Sequence, residues 1–253
     1  MLDLPPVAAV YGIYGSLGGG KSLTAVDVAL GFIKSFNFVC SNIKLLNLTP
    51  FQSSYYQYLT DISNVKWFDL PRGSARGTSG RKRVAVILDE MPELLDQYSN
   101  GKEIWIKQFL SWLRHTSKNG QYVFIITQDP SFILKPVRLL CSYWVRCDDM
   151  ANLRIPILNI KIPFFRDYVI RRIYDRDGKC ITKGLNLVKK SDIGRYYQTS
   201  QGLSLFSGSV IPNEFKDIYS RFILSQNRYR FLLILNSFLI LLTLVFFSLF
   251  LLL

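Results

Sequence analysis

A glycine-rich octet near the start constrains this chain more than any other feature. Residues 15–22 read GSLGGGKS, which fits the pattern G-x-x-x-x-G-K-[ST] at every fixed position. The apolar run VAAVYGIY precedes it, and LTAVDVALGFIKSF follows, with Leu23, Val26, Leu30 and Ile33 on one helical face. Strand, glycine turn and amphipathic helix in that order predict a loop that wraps an anion. Glycines let successive backbone N–H groups turn inward, where side chains would clash. The following helix, expected to begin at Ser22 or Leu23, adds its positive end. Gly15, Ser16, Leu17, Gly18, Gly19, Gly20, Lys21, Ser22 and Leu23 are therefore the candidate nucleotide-binding residues. Lys21 is placed to reach the β- and γ-phosphates, and the Ser22 hydroxyl to ligate Mg²⁺.

Hydrolysis needs a second element that holds the metal and activates water. The run VAVILDE at 84–90 has the required form: a buried strand with Asp89 and Glu90 at its C-terminal end. Ligands of open α/β sheets gather at that edge. Asp89 is the candidate metal carboxylate, and Glu90 the candidate general base for the attacking water. A third apolar strand is expected over 121–126 (QYVFII), running into Thr127 and Gln128 at the same edge. Gln128 there is placed to sense the γ-phosphate or position water; alternatively it is a polar residue leaving a strand. ATP with Mg²⁺ is the expected cofactor, although no motif selects adenine over guanine.

The helix before that third strand, expected over 104–115, carries Ile104, Phe109, Leu110 and Leu113 as its apolar positions and ends in Arg114-His115. Arg114 has two readings. It is an arginine finger acting across a subunit interface, or a basic residue favoured by the negative end of the helix. Arg138 and Arg146 are further finger candidates. His115, the sole histidine, is placed to bridge phosphate or protein, or is, like Arg114, a basic residue favoured at the helix end.

The other end of the chain has a different character. Residues 231–253 read FLLILNSFLILLTLVFFSLFLLL, with no charge and 19 of 23 residues Leu, Ile, Val or Phe. As a helix this run would extend roughly 34 Å, enough for a hydrocarbon core of about 30 Å. Lys216, Arg221, Arg228 and Arg230 precede it, so the positive-inside rule puts the preceding domain in the cytoplasm. Net charge is +4 over 1–150 and +9 over 151–253, which favours anionic partners: DNA, nucleotide or acidic lipid. Residues 69–83 (DLPRGSARGTSGRKR) read as a basic loop, either a DNA or coat-protein contact or a solvated surface loop. Cys40, Cys141, Cys147 and Cys180 fit no zinc or C-x-x-C spacing and are expected to be free thiols.

Four regions result: an NTPase domain over 1–150, a β-rich appendage over 151–210, a juxtamembrane connector over 211–230 and a transmembrane helix over 231–253. In the appendage, residues 154–162 alternate as a strand. Residues 168–175 lead through Asp177-Gly178 into 180–182 as a β-hairpin.

Together, GSLGGGKS, VAVILDE, WLRHTSKNGQYVFIITQDP and VRLLCSYWVRC resemble the zonula occludens toxin-like family, the assembly ATPases of filamentous phages. The block IGRYYQT at 193–199 is similar to a further family element. The resemblance covers about 5–200. It implies an α/β, RecA-like P-loop NTPase with a mostly parallel sheet, in which one strand lies between the P-loop strand and the Asp-Glu strand. It further implies a homo-oligomeric motor in the host cytoplasmic membrane, anchored by a single pass and extruding single-stranded DNA as phage coat protein assembles on it. Relatives from hosts with two membranes commonly continue past the helix, so a host without an outer membrane is expected. Two alternatives stand beside this reading: a nucleotide-bound membrane scaffold that nucleates assembly, and a cellular DNA-translocating or signalling P-loop protein.

Overall fold

A computed structural model describes residues 2, 4–74, 82–91, 103–152, 166–182, 184 and 186–197. The described strands are β1 (Val10–Tyr14), β2 (Phe38–Ser41), β3 (Tyr56–Tyr58), β4 (Val84–Leu88), β5 (Gln121–Ile126), β6 (Cys141–Asp149), β7 (Tyr168–Asp175) and β8 (Asn186–Lys189). The helices are α1 (Lys21–Lys34), the single turn α2 (Pro50–Ser53), α3 (Glu103–His115), α4 (Lys135–Leu140) and α5 (Lys190–Gly194). All eight strands join one sheet in the order β3-β2-β4-β5-β1-β6-β7-β8. Strands β1 to β6 are parallel to one another, whereas β7 and β8 pair antiparallel on the β6 side.

The apolar runs seen in sequence are continuous because both faces of the sheet are covered. Along β5, Tyr122, Phe124 and Ile126 face the α1 layer, while Val123 and Ile125 face the opposite layer. Strand β4 divides the same way, with Ala85 and Ile87 against Val84, Val86 and Leu88. The α1 layer is built from Val26, Ala29, Leu30 and Ile33, and Tyr11 stacks on Phe124 at 5.0 Å between centroids. On the other face α3 packs around a buried tryptophan pair. Trp67 and Trp112 stack at 5.0 Å, and Phe109 lies 4.7 Å from Trp67.

Helix α3 buries Phe109 and Leu113 as expected, but its inward face is centred on Trp112 and leaves Ile104 out. Ile104 is 73% exposed, and Phe109, Trp112 and Leu113 are the buried positions. Spacing alone allowed either stripe; the Trp67 pocket selects the one carrying Trp112. The predicted hairpin is present: Gly178 has φ +80°, and Tyr174 pairs with Cys180. It does not lead into a separate β-rich appendage over the described residues. β7 and β8 extend the main sheet itself, because the edge of β6 pairs with seven residues of β7 in register.

The predicted strand at 154–162 and the predicted membrane helix at 231–253 lie outside the described residues. Among the described residues no helix is long and apolar enough to cross a membrane. Residues 75–81 of the basic loop also lie outside them. Its ends are tied together, with Ser74 N–H donating to the Lys82 carbonyl at 2.8 Å and Gly73 N–H to Asn119 at 2.8 Å. The loop therefore leaves from the start of β4, at the sheet edge opposite the C-terminal ends of the strands.

All four cysteines are free; Cys40, Cys141 and Cys147 are buried and Cys180 is exposed. Burial pushes the thiols of Cys40 and Cys141 up to about 12 and that of Cys147 up to about 11. A thiol held protonated and out of solvent is a poor nucleophile. The folded chain is thus expected to take up one equivalent of a neutral alkylating reagent at pH 7.5, mapped by mass spectrometry to Cys180. Rapid labelling of a second cysteine would contradict this packing.

Candidate nucleotide site

The glycine octet leaves β1 and turns directly into α1, which begins at Lys21, slightly earlier than expected. The loop is pressed from behind by the antiparallel side of the sheet. A Cβ on Gly15 would lie 2.2 Å from the Cys147 carbonyl oxygen of β6. Gly20 has φ +87°, and a Cβ there would lie 2.4 Å from Val169 of β7. These two glycines are demanded by the backing strands as much as by a ligand. Residue 147 also reaches α1, with its Sγ donating to the Thr24 hydroxyl at 3.3 Å.

Lys21 curls over the loop and donates to the carbonyls of Gly15 and Ser16, each at 2.9 Å. Burial lowers its pKa, and the nearby Asp89 charge acts in the opposite direction. The Ser22 hydroxyl donates to Asp89 Oδ2 at 2.9 Å, joining the P-loop to the end of β4 across 67 residues of sequence. Burial pushes the Asp89 carboxyl above its ordinary range, offset in part by Ser22, the Glu90 amide and Lys21. Asn42, just past β2, clamps Asp89 through its backbone: Asn42 Nδ2 donates to the Asp89 carbonyl at 3.0 Å, and Asp89 N–H donates to Asn42 Oδ1 at 2.8 Å. Glu90 is exposed beside it, in a left-handed backbone conformation with φ +57°. Its amide donates to Asp89 Oδ1 at 3.0 Å.

The donor set suits a nucleotide with a hard divalent cation. Ser22 and Asp89 offer oxygen only, and Mg²⁺ prefers oxygen from one or two protein groups together with phosphate and water. Ser22 and Asp89 would hold the ion, and Lys21 with the loop amides would hold the phosphates.

The sheet brings Lys21, Ser22, Asp89 and Glu90 to one edge, as the sequence predicts. Gln128 arrives there through its backbone, its carbonyl accepting from Gly15 N–H at 3.3 Å, and its side chain is exposed. Arg114 does not come to this edge within the same chain. It lies at the C-terminus of α3, beside Val7, Ser142 and Tyr143 around a cavity of about 270 Å³ at the opposite edge. His115 Nδ1 contacts the Ser111 carbonyl at 2.7 Å, within its own helix end. Arg138 donates to the Pro130 carbonyl at 3.5 Å. Arg146, by contrast, sits beside Tyr14 at the nucleotide edge and pairs with Asp148 at 3.1 Å.

One contributor escaped sequence reasoning. Asn42 leaves a short strand, FVCS, that has no strong pattern of its own. Tyr197, from the IGRYYQT block, is half-buried against the α1-side cluster, and burial raises its phenol above the ordinary range.

A parallel sheet with the Asp-Glu strand β4 separated from the P-loop strand β1 by the single strand β5 is the RecA-like arrangement of P-loop NTPases. The sequence pattern of the zonular occludens toxin (Zot) family matches residues 9–168, and the chain belongs to that family. No curated protein matches it. Among solved structures, the N-terminal domain of zonular occludens toxin from Neisseria meningitidis is similar at 15% identity, covering 76% of this chain and 100% of that one, with a TM-score of 0.46. The genome packaging NTPase B204 from Sulfolobus turreted icosahedral virus 2, in complex with ATP-gammaS, is similar at 13% identity, covering 72% and 97%, with a TM-score of 0.40. The RadB recombinase is similar at 12% identity, covering 72% and 87%, with a TM-score of 0.44.

Proposed function

We propose that this chain is a membrane-anchored ATPase that drives filamentous phage assembly, extruding single-stranded DNA with coat protein through the host cytoplasmic membrane. The observation that carries the reading is the meeting of Lys21, Ser22, Asp89 and Glu90 at one sheet edge, in a chain of the Zot family. Lys21 and the loop amides bind and orient the phosphates. Ser22 and Asp89 hold Mg²⁺, which neutralises charge on the phosphates when bound. Glu90 takes the proton of the attacking water. Gln128 senses the γ-phosphate from the next strand, and Arg114 acts only on the site of a neighbouring subunit, consistent with a homo-oligomeric motor. The uncharged run at 231–253 and the basic flank before it support a single-pass anchor with the NTPase domain in the cytoplasm.

The test is made in the host. Cells carrying the phage with Lys21→Ala are expected to make DNA and coat protein but release no particles, while membranes holding the wild-type chain hydrolyse ATP with Mg²⁺. Normal particle release by Lys21→Ala would end the motor reading. Particle release that persists without measurable hydrolysis by the wild type would favour a scaffold.

A further inference from the structure

Helix α1 ends on a residue that its closing turn does not favour. Phe36 N–H donates to the Ile33 carbonyl and Asn37 N–H to the Phe32 carbonyl, each at 3.0 Å. That pattern closes a helix through a left-handed residue, a position usually filled by glycine. Phe36 holds it at φ +57°, and its ring is 61% exposed, so burial in the core does not account for it. Two further rings meet it. Phe51 of α2 is 57% exposed and lies 5.8 Å from Phe36 between centroids. Tyr55, half-buried against the α1-side cluster, lies 5.4 Å from Phe51 and 6.2 Å from Phe36. The three rings form an apolar knob with Tyr55 as its foot. Cations flank it. Lys34 is exposed in the last turn of α1. Exposed Lys82 and Arg83 lead into β4, and Arg83 N–H donates to Asn37 Oδ1 at 2.8 Å, beside Phe36. Among the described residues none of these three cations pairs with a carboxylate. The sequence that builds the corner holds no acidic residue between Asp27 and Asp61, nor between Asp69 and Asp89.

We propose that this knob, Phe36, Phe51 and Tyr55 with Lys34, Lys82 and Arg83, docks the NTPase domain onto an anionic lipid surface. The inference rests on the single-pass anchor reading, which keeps a bilayer within reach: only residues 198–230 separate the described chain from the uncharged run. Exposed phenylalanine rings enter the boundary between headgroups and acyl chains, while neighbouring Lys and Arg meet the lipid phosphates. Each half is weak alone, and both lie on one corner here. A stacking platform for single-stranded nucleic acid needs ring faces laid open to successive bases. These rings meet one another at 63–73°, edge against face, and present a compact knob instead. The corner lies at the N-terminal ends of β2, β3 and β4, the sheet edge opposite Lys21 and Asp89. Docking there leaves the nucleotide edge turned away from the lipid and open to solvent.

The experiment places the full chain in nanodiscs of phosphatidylcholine, with or without phosphatidylglycerol. Cys180→Ser with Ser54→Cys moves the exposed thiol to the turn after Phe51, where an attached NBD fluorophore reports lipid contact. Lipids carrying a nitroxide near the headgroup are expected to quench the fluorophore in discs with phosphatidylglycerol. Quenching is expected to fall severalfold in phosphatidylcholine alone, and in about 1 M salt, where charges are screened within about 3 Å. Phe36→Gly suits the helix end, so the fold and nucleotide binding are expected to persist; combined with Phe51→Ser it is expected to abolish the quenching. Unchanged quenching in that double variant, or an unquenched label on a chain that has entered the disc, would overturn the docking while leaving the anchor reading intact. A chain that never enters the disc would overturn the anchor reading and the docking with it. A label that responds instead to a single-stranded oligonucleotide, or only when two chains share a disc, would assign the knob to nucleic acid or to a second copy and overturn the lipid reading.

Discussion

Glu90→Gln is expected to bind Mg²⁺–ATP nearly as well as wild type and to turn it over about 10²–10⁴-fold more slowly, the contribution of a well-placed general base. Glutamine keeps the shape and hydrogen-bonding reach of the side chain but cannot accept the proton of the attacking water. The local geometry supports a dedicated position. Glu90 follows Asp89 at the end of a fully buried strand, where the backbone cannot shift without dragging β4 from between β2 and β5. Its φ of +57° is a conformation that a non-glycine residue adopts at a cost of about 1–3 kcal/mol. The bond from its amide to Asp89 Oδ1 helps hold that conformation. Phosphate release and fluorescent-nucleotide binding on the same preparation check both halves. Wild-type turnover by Glu90→Gln would remove Glu90 from the role of base and direct attention to a water positioned by Gln128.

Asp27→Ala is expected to cost about 3–5 kcal/mol of stability, a large share of the 5–15 kcal/mol that holds a typical domain. Arg171 of β7 is 1% exposed, and its guanidinium donates to Asp27 of α1 and to Asn186 of β8 at 2.5 Å each. Removing Asp27 leaves a buried cation with only an amide oxygen for company. The net worth of the intact pair is much smaller, because burying both charges already cost desolvation. Asp27→Ala combined with Arg171→Met is therefore expected to recover most of the loss. Thermal unfolding of the detergent-solubilised chain reads the three variants. A loss below about 1 kcal/mol for Asp27→Ala alone would mean that water reaches Arg171. The position has a functional consequence, since Asp27 stands on the same helix as Lys21 and Ser22. The pair anchors the phosphate-binding helix to the antiparallel edge.

Much of the site is legible in the sequence because its determinants are local. A glycine octet between an apolar strand and an amphipathic helix has one stable solution, and a carboxylate pair after five apolar residues must fall at a strand end. The expected placement of one strand between β1 and β4 is what the sheet shows. Arg114 was harder to read. Its position at a helix C-terminus is local, but which edge of the sheet that terminus reaches follows from the parallel crossover, which puts the start of β5 opposite the P-loop. Ile104 failed for a related reason. Two apolar stripes overlap on α3, and only the Trp67 pocket decides between them.

The sequence by itself determined the glycine loop, the placement of Asp89 and Glu90 at a strand end, and the RecA-like class of the sheet, because each depends on residues adjacent in the chain. Tertiary structure alone decided that β7 and β8 belong to the same sheet as the glycine loop's strand, that Gly15 and Gly20 are pressed by Cys147 and Val169, and that Asn42 converges on Asp89. Those contacts join positions tens of residues apart, up to 149 between Gly20 and Val169. No periodicity or motif encodes them; they exist only once strand order and both packed faces are in place.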